Sequence, residues 1–194
     1  MSAEADLPLT PLGQTLRPVE KVMIRNVISS GVLSFLLCGN VFAEFSIYTI
    51  DQRFEAVFPA TPQFTGEVGE GEQKHKSYNY TDEGNLIIYT ATYQVGRKIF
   101  SERDISNALS NYVKGQALVV GGSVETYSNK IINGNDSAVF IVTYQLRGVP
   151  VRKYGVVSYK SGYFYQWAVQ EFPRMSTLSG ENIFKRYLAY FSVR

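Results

Sequence analysis

Cysteine and histidine are nearly missing from this sequence, with one of each among 194 residues. Cys38 falls in an apolar N-terminal run, so residues 44–194 contain no cysteine. That excludes internal disulfides, a thiol nucleophile and any thiolate metal site in this part of the chain. A lone His75 excludes every paired-histidine metal motif, H-E-x-x-H included. A serine triad would have to use His75 as its base, and no G-x-S-x-G elbow accompanies it. Flanked by Lys74 and Lys76 near a strand start, His75 reads as a solvated edge residue. The phosphate-binding G-x-x-x-x-G-K-[ST] loop is also missing. Gly66, Gly69 and Gly71 have the wrong spacing for a dinucleotide turn and put glutamates where phosphate would sit. No cofactor and no metal is expected.

Charge of one sign is lacking too. The chain carries 19 Lys and Arg against 17 Asp and Glu, and residues 44–194 carry 16 against 14. The basic residues are scattered, whereas nucleic-acid binding needs a concentrated positive footprint; nucleic acid is therefore excluded as a partner. What the chain has in quantity is aromatic rings, 14 Tyr and 12 Phe, which favour strands.

Residues 1–22 are polar with three prolines and no period, and read as a disordered or mis-assigned extension. From Met23 a secretory signal begins: Arg25, an apolar run over Val27 to Cys38, and a small-residue cleavage site at Val41-Phe42-Ala43. Counted from Met23 the signal spans 21 residues, within the usual length, which points to a translation start at Met23. Two alternatives fit less well. A spanning helix wants about 20 mostly apolar residues, and the uncharged stretch Asn26 to Ala43 is 18 long and diluted by Asn, Gly and Ser. Lipidation at Cys38 wants a small preceding residue, but Leu36-Leu37 stand there. The expectation is an exported protein, periplasmic or secreted, with residues 23–43 removed, 44–194 a single domain, and membrane attachment only if the signal stays uncleaved.

In the domain, Phe54 to Phe58 reads as a first strand halted by Pro59 and Pro62, and Gly66 to Glu72 as a flexible acidic loop. Strands over Gln73 to Tyr80 and Leu86 to Val95 flank a Thr81–Asn85 turn. Ser101 with Asp104 suggests a capping box, followed by Ile105, Ala108, Leu109, Tyr112 and Val113 on one helical face. Four strands follow, over 124–132, 138–146, 151–159 and 163–170, joined at Asn133-Gly134-Asn135, Arg147-Gly148 and Ser161-Gly162. Ser179 caps a last helix with Ile183, Phe184, Tyr187, Leu188 and Phe191 on one face. The fold class is α+β: an antiparallel sheet of about six to seven strands with two packed helices.

This layout resembles a known group. With the opening strand Phe54, Phe58 and Pro59 (F-x-x-x-F-P), the mid-chain amphipathic helix, the long meander and the closing helix, it is similar to exported bacterial relatives of the photosystem II extrinsic subunit PsbP. That fold is shared with a Ran-binding nuclear import factor. The resemblance implies a PsbP-like sandwich over most of residues 45–194. It implies no activity, because the fold serves unrelated binding roles, and no functional residue of those relatives has a motif here to carry it.

Two constellations remain. Glu67, Glu70, Glu72, Asp82 and Glu83 could run carboxylate chemistry or catch calcium, but read most simply as solvated loop charges. Asn79-Tyr80-Thr81 and Asn135-Asp136-Ser137 match the glycosylation pattern and agree with exposed turns. In Tyr163-Phe164-Tyr165-Gln166-Trp167, a two-residue turn at Ser161-Gly162 pairs Lys160 with Tyr163, Ser158 with Tyr165, Val156 with Trp167 and Tyr154 with Val169. That register makes Trp167 a core residue and gathers Phe164, Tyr159, Gln166, Gln170 and Lys153 on a mixed, wetter face. The hairpin tip, Tyr159, Tyr163 and Phe164, is the candidate partner-binding surface. The functional expectation is an exported, non-enzymatic envelope protein that binds an envelope protein or small ligand. The alternatives are a carboxylate hydrolase or glycosidase and a membrane-anchored structural or stress protein.

Overall fold

A computed structural model describes residues 45–68, 75–96 and 99–194. Residues 1–44, which include the expected extension (1–22) and signal (23–43), and the glutamates Glu70 and Glu72 lie outside the described residues. Ten strands form two sheets. Strands β3 (Gln63–Val68), β4 (His75–Asp82), β5 (Ile87–Val95), β6 (Ser123–Ile132), β7 (Asn135–Leu146), β8 (Val149–Lys160) and β9 (Tyr163–Glu171) make a seven-stranded antiparallel sheet. Its order is β3-β4-β5-β9-β8-β7-β6. Strands β1 (Ser46–Ile50), β2 (Phe54–Phe58) and β10 (Ser192–Val193) make a small second sheet, ordered β1-β2-β10. Helix α1 (Glu102–Val119) separates β5 from β6, and helix α2 (Gly180–Tyr187) follows β9. The expected α+β architecture is present, with a second sheet added.

Local chemistry sets the meander. The loops Asn133-Gly134, Arg147-Gly148 and Ser161-Gly162 each hold two successive residues at positive φ, between 48° and 85°. That is the two-residue hairpin geometry whose twist matches the strands. The β8–β9 register is therefore the one expected, with Lys160 opposite Tyr163 and Val156 opposite Trp167. Gly155 of β8 serves a different need: a Cβ there would come within 2.2 Å of the Phe140 ring, which lies across the strand.

Three details depart from the sequence reading. Phe54–Phe58 is the second strand, since Ser46–Ile50 pairs with it; the polar Ser46 and Thr49 weaken the alternation there. Gly66 to Val68 belong to β3 rather than to a loop, a bulge between Phe64 and Gly66 absorbing the misfit. The Ser101 hydroxyl donates to the Asp104 carboxylate at 2.8 Å and makes no cap bond to a backbone N–H, because the shorter Asp side chain stays beside it.

The large sheet is dry on one side. Under the small sheet and α2 lie Trp167, Tyr89, Tyr154, Phe54, Phe58 and Phe191, all essentially without solvent exposure. Trp167 stacks on Phe184 of α2 at 5.5 Å, and its indole N–H donates to the Val57 carbonyl at 3.0 Å. A buried indole thus finds a partner across the sandwich. The Glu171 carboxylate is buried and accepts from the Tyr154 hydroxyl and the Gly180 N–H, each at 2.6 Å. An anion placed at the N-terminus of α2 complements its dipole, so β9 fixes where α2 begins.

Candidate functional site

The opposite side of the sheet is covered only in part. Helix α1 packs on β6, β7 and β8 through Ala108, Leu109, Val113 and Ala117, which meet Ala138, Phe140, Val142 and Val157. On β9, β5 and β4 the same face carries polar side chains. The register sets them in cross-strand rungs. His75, Gln94 and Phe164 form one, Ser77, Thr92 and Gln166 the next, and Asn79, Thr90 and Ala168 a third. From α1, Tyr112 and Gln116, one turn apart, close the wall. Lys153 of β8, paired with Gln170, stands at the far end. Together these groups enclose a polar cleft of about 160 Å³.

Its electrostatics are one-sided. No aspartate or glutamate lines this inner cleft, and Lys153 makes no ion pair among the described residues. Burial alone pulls the Lys153 amine down to a pKa of about 8, because desolvation disfavours the charged form. Burial also pushes the Tyr112 phenol up to about 12, opposed by a hydrogen bond shared with Thr92. Two buried atoms in the lining, Thr90 Oγ1 and Gln166 Oε1, have no hydrogen-bond partner among the described residues. Native interiors pair most such groups, so an unpaired acceptor and hydroxyl beside an unpaired amine mark an arrangement with unused binding capacity.

At its other end the cleft adjoins a larger pocket of about 460 Å³, and the two share Gln94 and Tyr112. Phe100 and Phe164 supply its apolar wall, and Tyr112 stacks on Phe164 at 4.7 Å. The Phe100 N–H donates to the Tyr159 hydroxyl at 3.1 Å, holding the chain entering α1 against the sheet.

The residues chosen from sequence fall differently. Tyr159 and Phe164 are buried beneath α1, their rings 5.1 Å apart. Tyr163, on the other face, is half-buried under the Arg53 guanidinium, 4.6 Å from its ring. The three do not share one exposed tip, because alternate residues of β9 point to opposite faces. His75 is no edge residue either: β3 pairs outside β4, and His75 turns half-buried into the cleft. Asn79 lies in mid-strand, bonded to Thr65, and not in a turn. Asp82 accepts from the Asn85 N–H at 3.0 Å and so serves the turn. Among the described residues no group of acidic, histidine or cysteine side chains could hold a metal. Lys153 and Gln166 were visible in sequence only as members of a wetter face; the missing signal was the helix that half covers it.

A second polar cluster joins the β1–β2 turn to the sheet. Tyr93 donates to Asp51, which holds the carboxyl pKa low, and Lys76 pairs with Asp51 at 3.2 Å. Arg53 lies over Tyr93 as well as Tyr163. These charges satisfy one another, and the cluster reads as a clasp.

No protein-family model matches the sequence, and no curated protein matches it. Solved structures do. Cyanobacterial PsbP (CyanoP) from Synechocystis sp. superimposes with a TM-score of 0.57 at 11% identity, covering 82% of this chain and 99% of that one. A protein of unknown function from Pseudomonas aeruginosa aligns with a TM-score of 0.46 at 8% identity, covering 75% of this chain and 94% of that one. Such identities carry the fold and no activity. Residues 45–194 thus adopt the PsbP-like fold, the architecture that the order of strands and helices implied.

Proposed function

We propose that this is an exported protein that binds a small polar ligand, without turning it over, in the cleft between α1 and the uncovered half of the large sheet. The observation that carries the reading is that Lys153, without an ion pair among the described residues, shares one cleft lining with Thr90 and Gln166, whose buried Oγ1 and Oε1 atoms have no partner there. Sites for small molecules combine a few converging polar groups with an apolar wall, and Phe100, Tyr112 and Phe164 supply that wall. Export rests on the signal-like residues 23–43. No described helix is long and apolar enough to cross a membrane.

The test is a fragment titration of the isotope-labelled chain followed by amide NMR. Shifts are expected at residues 75–79, 90–94, 112–116 and 166. Fragments that bind only elsewhere, or hydrolytic turnover of one of them, would sink the reading. Export is tested separately by N-terminal mass spectrometry of the protein from its native host. A chain starting at Glu44 is expected, and one retaining residues 1–22 overturns the Met23 start.

A further inference from the structure

The chemistry of the cleft narrows its ligand. Three facts bear on the ligand's charge. Among the described residues, Lys153 is the one Lys or Arg in the inner lining, no carboxylate there balances it, and no carboxylate pairs with it elsewhere. Around it stand hydroxyls, side-chain amides and the His75 imidazole, among them the unpartnered Thr90 hydroxyl and the unpartnered Gln166 amide oxygen. A half-buried, desolvated ammonium without a counter-ion is costly, and a ligand anion lowers that cost. One positive charge with neutral donors suits a singly charged group. A phosphate dianion would leave charge unmatched, and its usual partners, guanidinium forks or a row of backbone N–H groups, are not in this lining.

Two facts bear on the ligand's body. The inner cleft, about 160 Å³, has room for a head group and little more. Beside it, sharing Gln94 and Tyr112 in its lining, is the pocket of about 460 Å³ walled by Phe100 and Phe164. Tyr112 belongs to both, with its hydroxyl towards Thr92 on the polar side and its ring stacked on Phe164 on the apolar side.

Resting on the reading of this cleft as the ligand site, we infer that it takes a small carboxylic acid with an apolar, ring-sized body. The carboxylate meets Lys153 and the Thr90 hydroxyl, and the body lies against Phe100, Tyr112 and Phe164. The depressed pKa of Lys153 agrees with this placement, since the amine is desolvated before any anion arrives.

The experiment uses phenylacetate, acetate, 2-phenylethanol and inorganic phosphate, each titrated into the full chain and read by amide shifts at Thr90, Thr92 and Gln166. Phenylacetate is expected to bind there, with acetate and 2-phenylethanol each about tenfold weaker, the equivalent of one lost favourable contact. Lys153→Met is expected to weaken phenylacetate about tenfold and to leave 2-phenylethanol unchanged. The amide spectrum reports that the variant is folded, and Thr90→Val, an isosteric change, gives a second reading in the same direction. If 2-phenylethanol binds the cleft as tightly as phenylacetate, or Lys153→Met changes nothing, the acid is wrong while the cleft stands. Tighter binding of phosphate at the same amides also overturns the acid. If none of the four shifts these amides the inference falls, and a blank fragment titration then removes the cleft as well.

Discussion

The two faces of the large sheet are built from the same strands, yet they solve opposite problems. On β9, Tyr165, Trp167 and Val169 point to one side, where the small sheet and α2 leave them almost without solvent exposure. Phe164, Gln166 and Gln170 point to the other, where α1 packs mainly on β6, β7 and β8 and meets β9 through Tyr112 on Phe164. The first face is continuous and aromatic, and its polar groups are largely served: the Trp167 indole by Val57, the Tyr154 hydroxyl by Glu171. The second is apolar under the helix and polar beside it, and among the described residues it holds Lys153 without an ion pair and Thr90 Oγ1 and Gln166 Oε1 without a hydrogen bond. The difference teaches that stability and binding are divided between sides of one sheet. The dry face leaves only the Tyr89 hydroxyl without a partner among the described residues, deep in an aromatic core, whereas the other face keeps its unpaired groups around a cleft.

Three substitutions would break or sharpen that division. The largest effect is expected from Trp167→Ala, which empties the centre of the dry face and orphans the Val57 carbonyl. A loss of about 3–5 kcal/mol by denaturant unfolding is expected, and a loss below about 1 kcal/mol would mean that the dry face is not the stabilising one.

Next comes Lys153→Met, with the opposite sign. The amine titrates near pH 8 in the folded chain against an ordinary 10.5. Below pH 8 the folded state therefore carries the full cost of desolvating it, about 3 kcal/mol from the pKa difference. Between pH 8 and 10.5 the unfolded chain binds more protons, so wild-type stability rises with pH relative to the variant. Lys153→Met should accordingly be more stable than wild type at pH 7, with the gap closing towards pH 10.5. Taking the difference between the two proteins cancels the contributions of His75 and the tyrosines. A gap that stays constant with pH would show that Lys153 is solvated.

The smallest effect is expected from Thr90→Val, which removes a buried hydroxyl that bonds to nothing among the described residues. The change should be neutral or stabilising by up to about 1 kcal/mol in thermal unfolding. A clear loss would reveal a partner for that hydroxyl and weaken the case for a waiting site.

Much of the fold was legible because its signals are local. Gly134, Gly148 and Gly162, each after a residue that itself takes positive φ, announce three hairpins, and two-residue turns leave little freedom in register. Ile105 to Val113 announces α1, and Ser179, whose side chain accepts from the Asn182 N–H, announces α2. Strand β1 was missed because only part of its pattern alternates: Ile47 is exposed while Ile50 is buried. The site was less legible. His75 reads in sequence as a strand-edge residue and Lys153 with Gln166 as members of one wetter face, but nothing local joins them. They meet because β5 and β9, far apart in sequence, pair and bring β4 beside β8 with two strands between.

By itself the sequence determined both helices, the four-strand meander with its hairpin turns and the inward direction of Trp167, because turn geometry and the two-residue strand period act over a few residues. It also excluded thiol and paired-histidine chemistry by composition alone. Only the tertiary structure decided where α1 stops covering the sheet, and so which polar residues of one face are half-buried together. Alternation along a strand says which way a side chain points, but not what lies above it. That depends on packing between elements distant in sequence, and here it is what places Lys153, Thr90 and Gln166 around one cleft.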